Sequence, residues 1–211
     1  CGAEARSEFV SKLSKINPSV AVLGETAASG GYLIALATDF IVSRGNTLTG
    51  SVGVIVQYPN FSQLLEKLGI SVNTLKSADL KASFNYFEKP TGKALQKHSE
   101  LVNESFIWFK SLVESERNLS NENLSKILTG ELFTGRMAFK IGMLDKIGGE
   151  EEAVKYLTSK YVECDKLPIV DWNIREEKSS VWSFLEIFQG VSYMKARFLG
   201  ERGPRLYSTL F

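Results

Sequence analysis

The chain of 211 residues predicts an α/β domain with a mostly parallel sheet, and three observations carry this. Short apolar runs at 20–24, 39–43 and 52–56 have the length of buried strands rather than helices. They alternate with stretches of helical periodicity, the pattern of strands joined by crossover helices. Composition is that of a globular protein, 44% hydrophobic and 23% charged, with no internal repeat or low-complexity tract.

The elements follow in order. Residues 4–16 carry Phe9, Val10, Leu13 and Ile16 at helical spacing, stopped by Asn17-Pro18. A strand over 20–24 leads into small residues, and 30–37 reads as a buried helix, apolar on all sides. Strands are expected at 39–43 and, after a Thr-Gly-Ser turn, at 52–56. A short helix over 61–68 ends at Gly69, and 70–76 alternates and is rich in β-formers. The longest helical stretch is 88–117, with Leu95, Leu101, Val102, Phe106, Phe109, Leu112 and Val113 as its core-facing stripe. Further helices are predicted near 121–129, 136–141 and 149–160. Composition shifts near residue 160, which divides the chain into a 1–160 domain and a 161–211 extension. The extension holds an amphipathic helix candidate at 182–198 and an irregular tail. The chain starts abruptly, with Cys1-Gly2 running almost directly into a helical pattern, so the N-terminal part of the domain is expected to be missing.

Charge and cysteine content narrow the chemistry. With 25 basic and 24 acidic residues the net charge is +1, which gives no electrostatic case for nucleic acid. Cys1 and Cys164 do not make a metal-ligand spacing, and the single His98 cannot complete a Cys/His zinc site. No cofactor or metal is expected.

The chemistry-bearing segment is Thr26-Ala27-Ala28-Ser29-Gly30-Gly31-Tyr32, lying between two apolar runs. A serine there stands at a strand-to-helix corner, and the glycines let a substrate backbone approach free N–H groups. Such a nucleophile needs a base. His98 lies on the polar side of the long helix and reads as an exposed helical residue, with a triad role as the competing reading. The alternative base is a neutral lysine. A free lysine amine titrates near about 10.4, so working near neutral pH asks for about 4 kcal/mol of destabilisation of its ammonium form. Burial among apolar groups supplies this. Lys81 stands apart from the helical lysines because it follows a β-like run and has small and apolar neighbours, Ala78, Leu80, Ala82 and Phe84. Ser51, in Leu48-Thr49-Gly50-Ser51-Val52-Gly53-Val54, is either a hydroxyl that holds the lysine or an ordinary turn serine.

These blocks resemble the signal peptide peptidase A family. The resemblance rests on Ala27-Ala28-Ser29-Gly30-Gly31-Tyr32, Ala37-Thr38-Asp39-Phe40-Ile41 and the Leu48–Val54 block. Lys76-Ser77 with Lys81, Thr134-Gly135-Arg136-Met137-Ala138 and Gly142-Met143-Leu144-Asp145-Lys146-Ile147-Gly148 extend it over roughly residues 5–160. It implies a ClpP/crotonase-like fold, a repeated β-β-α spiral, and a serine peptidase with a Ser-Lys dyad. By resemblance Ser29 is the nucleophile and Lys81, 52 positions later, the general base. Ser51 orients the lysine, and the N–H of Gly30 is one oxyanion donor. The family's second donor falls in a Gly-Gly turn at or before Cys1-Gly2, and Glu25-Thr26 changes the residues ahead of the nucleophile. The resemblance also implies signal peptides and other unfolded apolar peptides as substrates, and a ring- or dome-shaped homo-oligomer in which serine and lysine can come from neighbouring subunits. It further implies an N-terminal anchor in the bacterial inner, or cytoplasmic, membrane, with the catalytic domain facing the periplasm or exterior. Two other readings compete: a crotonase-type acyl-CoA enzyme, which would use carboxylates such as Glu25 and Asp39, and a catalytically silent scaffold.

Overall fold

The computed structural model describes residues 2–161, 164 and 167–170. The amphipathic segment at 182–198 and the tail after it lie outside the described residues. Within them, helix α1 (Gly2–Ser14) precedes strands β1 (Val20–Leu23) and β2 (Thr26–Ala28), helix α2 (Gly30–Ala35), and strands β3 (Phe40–Ser43) and β4 (Leu48–Gly50). Helices α3 (Ser62–Lys67), α4 (Gly92–Glu116) and α5 (Asn121–Ile127) follow, then β5 (Leu132–Thr134), α6 (Gly135–Lys140), β6 (Lys146–Ile147) and α7 (Glu150–Lys160).

The strands form two small sheets. One has the order β1-β3-β6, parallel throughout. The other has the order β2-β4-β5, with β2 parallel to β4 and β5 antiparallel. The fold is therefore α/β with mostly parallel pairing, and β-β-α units recur along the chain. Helix α2 is the centre of the core. Tyr32, Leu33, Ile34, Ala35 and Leu36 are all buried, as expected of a helix apolar on every side. Tyr32, Leu33, Ala35 and Leu36 pack with Ile41, Val52, Phe109, Val113 and Met143. Each fully buried large side chain contributes about 1.5–3 kcal/mol. Helix α1 is tied to α2 by serine hydroxyls: Ser7 Oγ donates to the Leu33 carbonyl and Ser14 Oγ to that of Ala37.

Three expectations are corrected. The runs at 52–56 and 70–76 are not strands. The strand there is Leu48–Gly50, and the chain leaves the sheet at Ser51, where φ is 51°. Beyond it, Ile55 and Leu75 are exposed, and β-forming side chains make no strand without a neighbouring edge to bond. The long helix starts at Gly92 rather than 88, because Pro90 precedes Thr91, whose Oγ1 caps the Ala94 N–H at 3.2 Å. Its apolar stripe is buried only at Phe109 and Val113, while Leu95 and Leu101 are exposed. Besides Ala94 in the first turn, the helix is buried only in its C-terminal half.

Candidate active site

Ser29 lies between the end of β2 and the start of α2 with φ 50° and ψ −112°. This is close to the first central residue of a type II′ turn, about +60° and −120°, a position that glycine dominates. The corner is held from both sides: the Ser29 N–H donates to the Gly50 carbonyl at 2.7 Å, and its own carbonyl accepts from Leu33 N–H at 2.9 Å. Among the described residues its Oγ makes no hydrogen bond, so the hydroxyl is available to a base. The amide of Gly30 opens the first turn of α2, where no intrahelical acceptor exists.

The neighbouring strand repeats the device. Ala27 pairs with Thr49 and Ala28 with Gly50, so Ser29 and Ser51 are the residues just past the ends of two adjacent parallel strands. Thr49 Oγ1 donates to the Ala27 carbonyl at 2.7 Å, stapling the two strands. Ser51 also has positive φ, and its N–H donates to the Glu131 carbonyl at 2.7 Å. Gly50 has φ +87°, and a Cβ there would lie 2.7 Å from Phe133 and 2.9 Å from the Glu131 carbonyl oxygen. The turn thus demands glycine for both conformation and space.

Beneath the corner is a polar network that the sequence reading did not find. The Tyr32 hydroxyl is buried and donates to the Met143 carbonyl at 3.1 Å. Burial pushes the phenol well above its ordinary titration range, with Arg117 opposing, so it remains a donor. Arg117 Nη1 bonds Asp145 Oδ1 at 2.7 Å, and Asp145 Oδ2 accepts from the Ile41 N–H at 2.7 Å. Arg117 Nε is buried without a hydrogen-bond partner among the described residues. The only sequence sign of this network is Asp145 within the Gly-Met-Leu-Asp block, and Arg117, 28 positions away, has no local sequence signal.

Lys81 lies in an exposed turn, its N–H bonded to the Ala78 carbonyl at 3.0 Å. Among the described residues its amine has no hydrogen bond or ion pair, and it is not bonded to Ser29 or Ser51. The structure therefore brings Ser29, Ser51 and Gly30 together and leaves Lys81 in solvent. His98 is not at the corner either. Its Nδ1 bonds the Ala94 carbonyl at 3.0 Å and its ring lies on Phe84. Asp39 Oδ2 is engaged by the N–H and hydroxyl of Ser19, away from Ser29, and Glu25 is exposed, so no carboxylate pair forms beside the serine. No group of three His, Cys, Asp or Glu among the described residues is arranged to hold a metal ion.

Ser29 thus stands on a strained corner between a parallel strand and a buried helix, with its hydroxyl unengaged among the described residues. The family model for Peptidase family S49 matches residues 11–162, and the chain belongs to that family. Relatives include a Methanocaldococcus jannaschii protein named as a protease, 30% identical over 83% of this chain and 56% of its own length. A protease-named protein of Synechocystis is 33% identical over 69% of the chain and 54% of its length. An Enterococcus faecium protein named as a signal peptide peptidase is 34% identical over 74% of the chain and 46% of its length. The chain thus spans about half the length of these relatives. The solved structure of a membrane-bound stomatin-specific protease matches 72% of this chain and 61% of its own, with 20% identity and a TM-score of 0.44.

Proposed function

We propose that this chain is the core of a serine endopeptidase in which Ser29 attacks a peptide carbonyl and Lys81 is the general base. The observation that carries this reading is the backbone of Ser29, held at φ 50° with its hydroxyl unengaged, in a chain of Peptidase family S49. The neutral lysine takes the serine proton as Oγ bonds the carbonyl carbon. The oxyanion is met by backbone N–H groups, that of Gly30 among them, each worth about 3–4 kcal/mol. The ammonium then protonates the leaving amine, and water releases the acyl group. Ser51, beside Ser29, holds the lysine amine.

An exposed lysine does not meet the condition for a neutral amine, so the base must be covered. We infer that a second copy of the chain does this, its Ser29 corner receiving this chain's Lys81. The apolar side chains between the two site residues support the inference: Ile55, Leu64, Leu68, Ile70 and Leu75 are each more than half exposed, apolar surface that a partner subunit would cover. The substrates are unfolded apolar peptides, signal peptides among them, cut at a membrane to which the full-length protein is anchored. No helix among the described residues is long and apolar enough to cross a membrane.

The test is complementation. Ser29→Ala and Lys81→Ala chains are each inactive toward an unfolded peptide, with oligomer size unchanged. Co-expressed, they regain activity at about a quarter of the sites, the fraction that random pairing of the two chains completes in a closed ring. Full activity of Lys81→Ala, with loss in His98→Ala, refutes the dyad. A dead mixture places both groups in one chain.

A further inference from the structure

Between Asn60 and Thr91 the chain has one short helix, α3, and otherwise no regular structure, yet its hydrogen bonds converge on the residues just after Lys81. Asn85 Nδ2 donates to the Ala82 carbonyl at 3.0 Å and to Glu88 Oε2 at 3.1 Å. Asn85 Oδ1 accepts from the N–H groups of Phe87 and Glu88, both at 2.8 Å. Lys76 is paired with Glu88 across the base of the loop, and Asn60 Nδ2 donates to the Glu88 carbonyl at 2.7 Å. Ala82, next to Lys81, has φ 50°. A non-glycine residue in that region persists only where its surroundings over-determine it.

Aromatic packing fixes the same segment to the rest of the molecule. The Phe84 ring is met edge-on by Tyr58, with centroids 4.2 Å apart, and at a tilt by the His98 imidazole of α4 at 3.7 Å. His98 is itself oriented by the Nδ1 bond to Ala94, one turn earlier on the helix. Helix α4 thus reaches the lysine loop through one ring pair, and Phe84 is three residues from Lys81. An ordinary solvated lysine needs no such support. A base that must meet a serine within hydrogen-bond distance does, since a misplacement of about 1 Å costs on the order of a hundredfold in rate.

We infer that the Tyr58–Phe84–His98 ring cluster, with Asn85 behind it, positions Lys81 for proton transfer, His98 acting by packing and not as an acid or base. The inference rests on the Ser-Lys reading above. Its test uses the full-length protein, with peptide cleavage and labelling of Ser29 by a fluorophosphonate as readouts. Lys81→Ala abolishes both. Phe84→Ala and His98→Ala lower kcat and the labelling rate about 10- to 100-fold, with KM within about twofold of wild type and oligomer size unchanged. His98→Phe keeps a ring against Phe84 and restores the rate to within about threefold of wild type. Phe84→Leu, which preserves apolar volume but not the ring contacts, gives an intermediate loss if Phe84→Ala fails to fold. If Lys81→Ala is dead and the ring variants react at wild-type rates, the positioning role is overturned and the dyad stands. If His98→Phe is as slow as His98→Ala, a ring at position 98 does not set the rate and the positioning role is again overturned. Activity in Lys81→Ala overturns the dyad and the positioning role with it.

Discussion

Replacing Ser29 with glycine removes the hydroxyl and relieves its backbone, whereas replacing it with alanine removes the hydroxyl alone. At φ 50° and ψ −112°, a residue with a Cβ is strained by about 1–3 kcal/mol. Glycine takes that conformation freely but gives back about 0.5–1 kcal/mol in unfolded-chain entropy. At the middle of these ranges the net gain for Ser29→Gly is about 1 kcal/mol. Ser29→Ala keeps the strain and loses a hydroxyl that makes no hydrogen bond among the described residues, so it stays within about 0.5 kcal/mol of wild type. At about 2–4 °C per kcal/mol for a domain of this size, Ser29→Gly melts about 2–4 °C above Ser29→Ala. Urea and thermal unfolding of the two inactive variants, followed by circular dichroism at one protein concentration, measure the difference. A Ser29→Gly protein no more stable than Ser29→Ala would refute the claim that the corner stores strain.

Other expected outcomes concern the support around the corner. Gly50→Ala, forced into φ +87° and against Phe133 and the Glu131 carbonyl, loses about 2–5 kcal/mol. Gly69→Ala, with φ +70° in open space, loses only about 1–2 kcal/mol; equal losses in urea melts would show the steric clash to be absent. Asp145→Ala strands the largely buried Arg117 guanidinium and costs about 3–5 kcal/mol, whereas Tyr32→Phe leaves the Met143 carbonyl unmet and costs about 1–2 kcal/mol; chemical denaturation ranks the two. Hydrogen bonds from Lys76 first, then from Thr74 and Asn85, hold the Glu88 carboxyl down to about 2, against an ordinary 4.5. Because the folded value is the lower one, the loop's stabilisation is complete above about 4.5 and is lost as pH falls through about 2. Pepsin nicking within residues 76–88 should therefore accelerate over that interval in wild type, and Glu88→Gln should be susceptible already at its upper end.

The parts of this molecule that were legible in sequence are those whose signal is local. The apolar, small-residue stretch around Tyr32 and Leu33 announces a buried helix, and Ser29 between small residues announces an accessible hydroxyl. The partnership of Ser29 with Ser51 was legible only as motif order; its cause is the Ala28–Gly50 register, which no local pattern encodes. Val54-Ile55-Val56 has β propensity, but a strand is completed by a neighbour, and the sequence does not say where the neighbour is. For the same reason Lys81 looked enclosed by apolar residues that are its neighbours along the chain and do not cover it in space. Tyr32, Arg117 and Asp145 come from three distant segments, so their network was invisible until the fold assembled it. His98 was read as a solvated helical residue, and what it touches depends on the irregular loop opposite.

Helix α4 is anchored in the core at Phe109 and Val113 and touches the lysine loop at His98. The stretch from His98 to Val113 is about 22 Å long at 1.5 Å per residue. It is a lever with its fulcrum in the core beneath Ser29 and its far end on the loop that carries Lys81. A tilt of about 5° at the fulcrum moves the far end by about 2 Å over such a length, comparable to the difference between a hydrogen bond and none. Small changes in core volume at Phe109 or Val113, remote from Ser29 along the chain, are thereby geared up into displacements of the Phe84 segment. On the proposed Ser-Lys reading, variation at these two buried positions would tune turnover without touching any group that reacts.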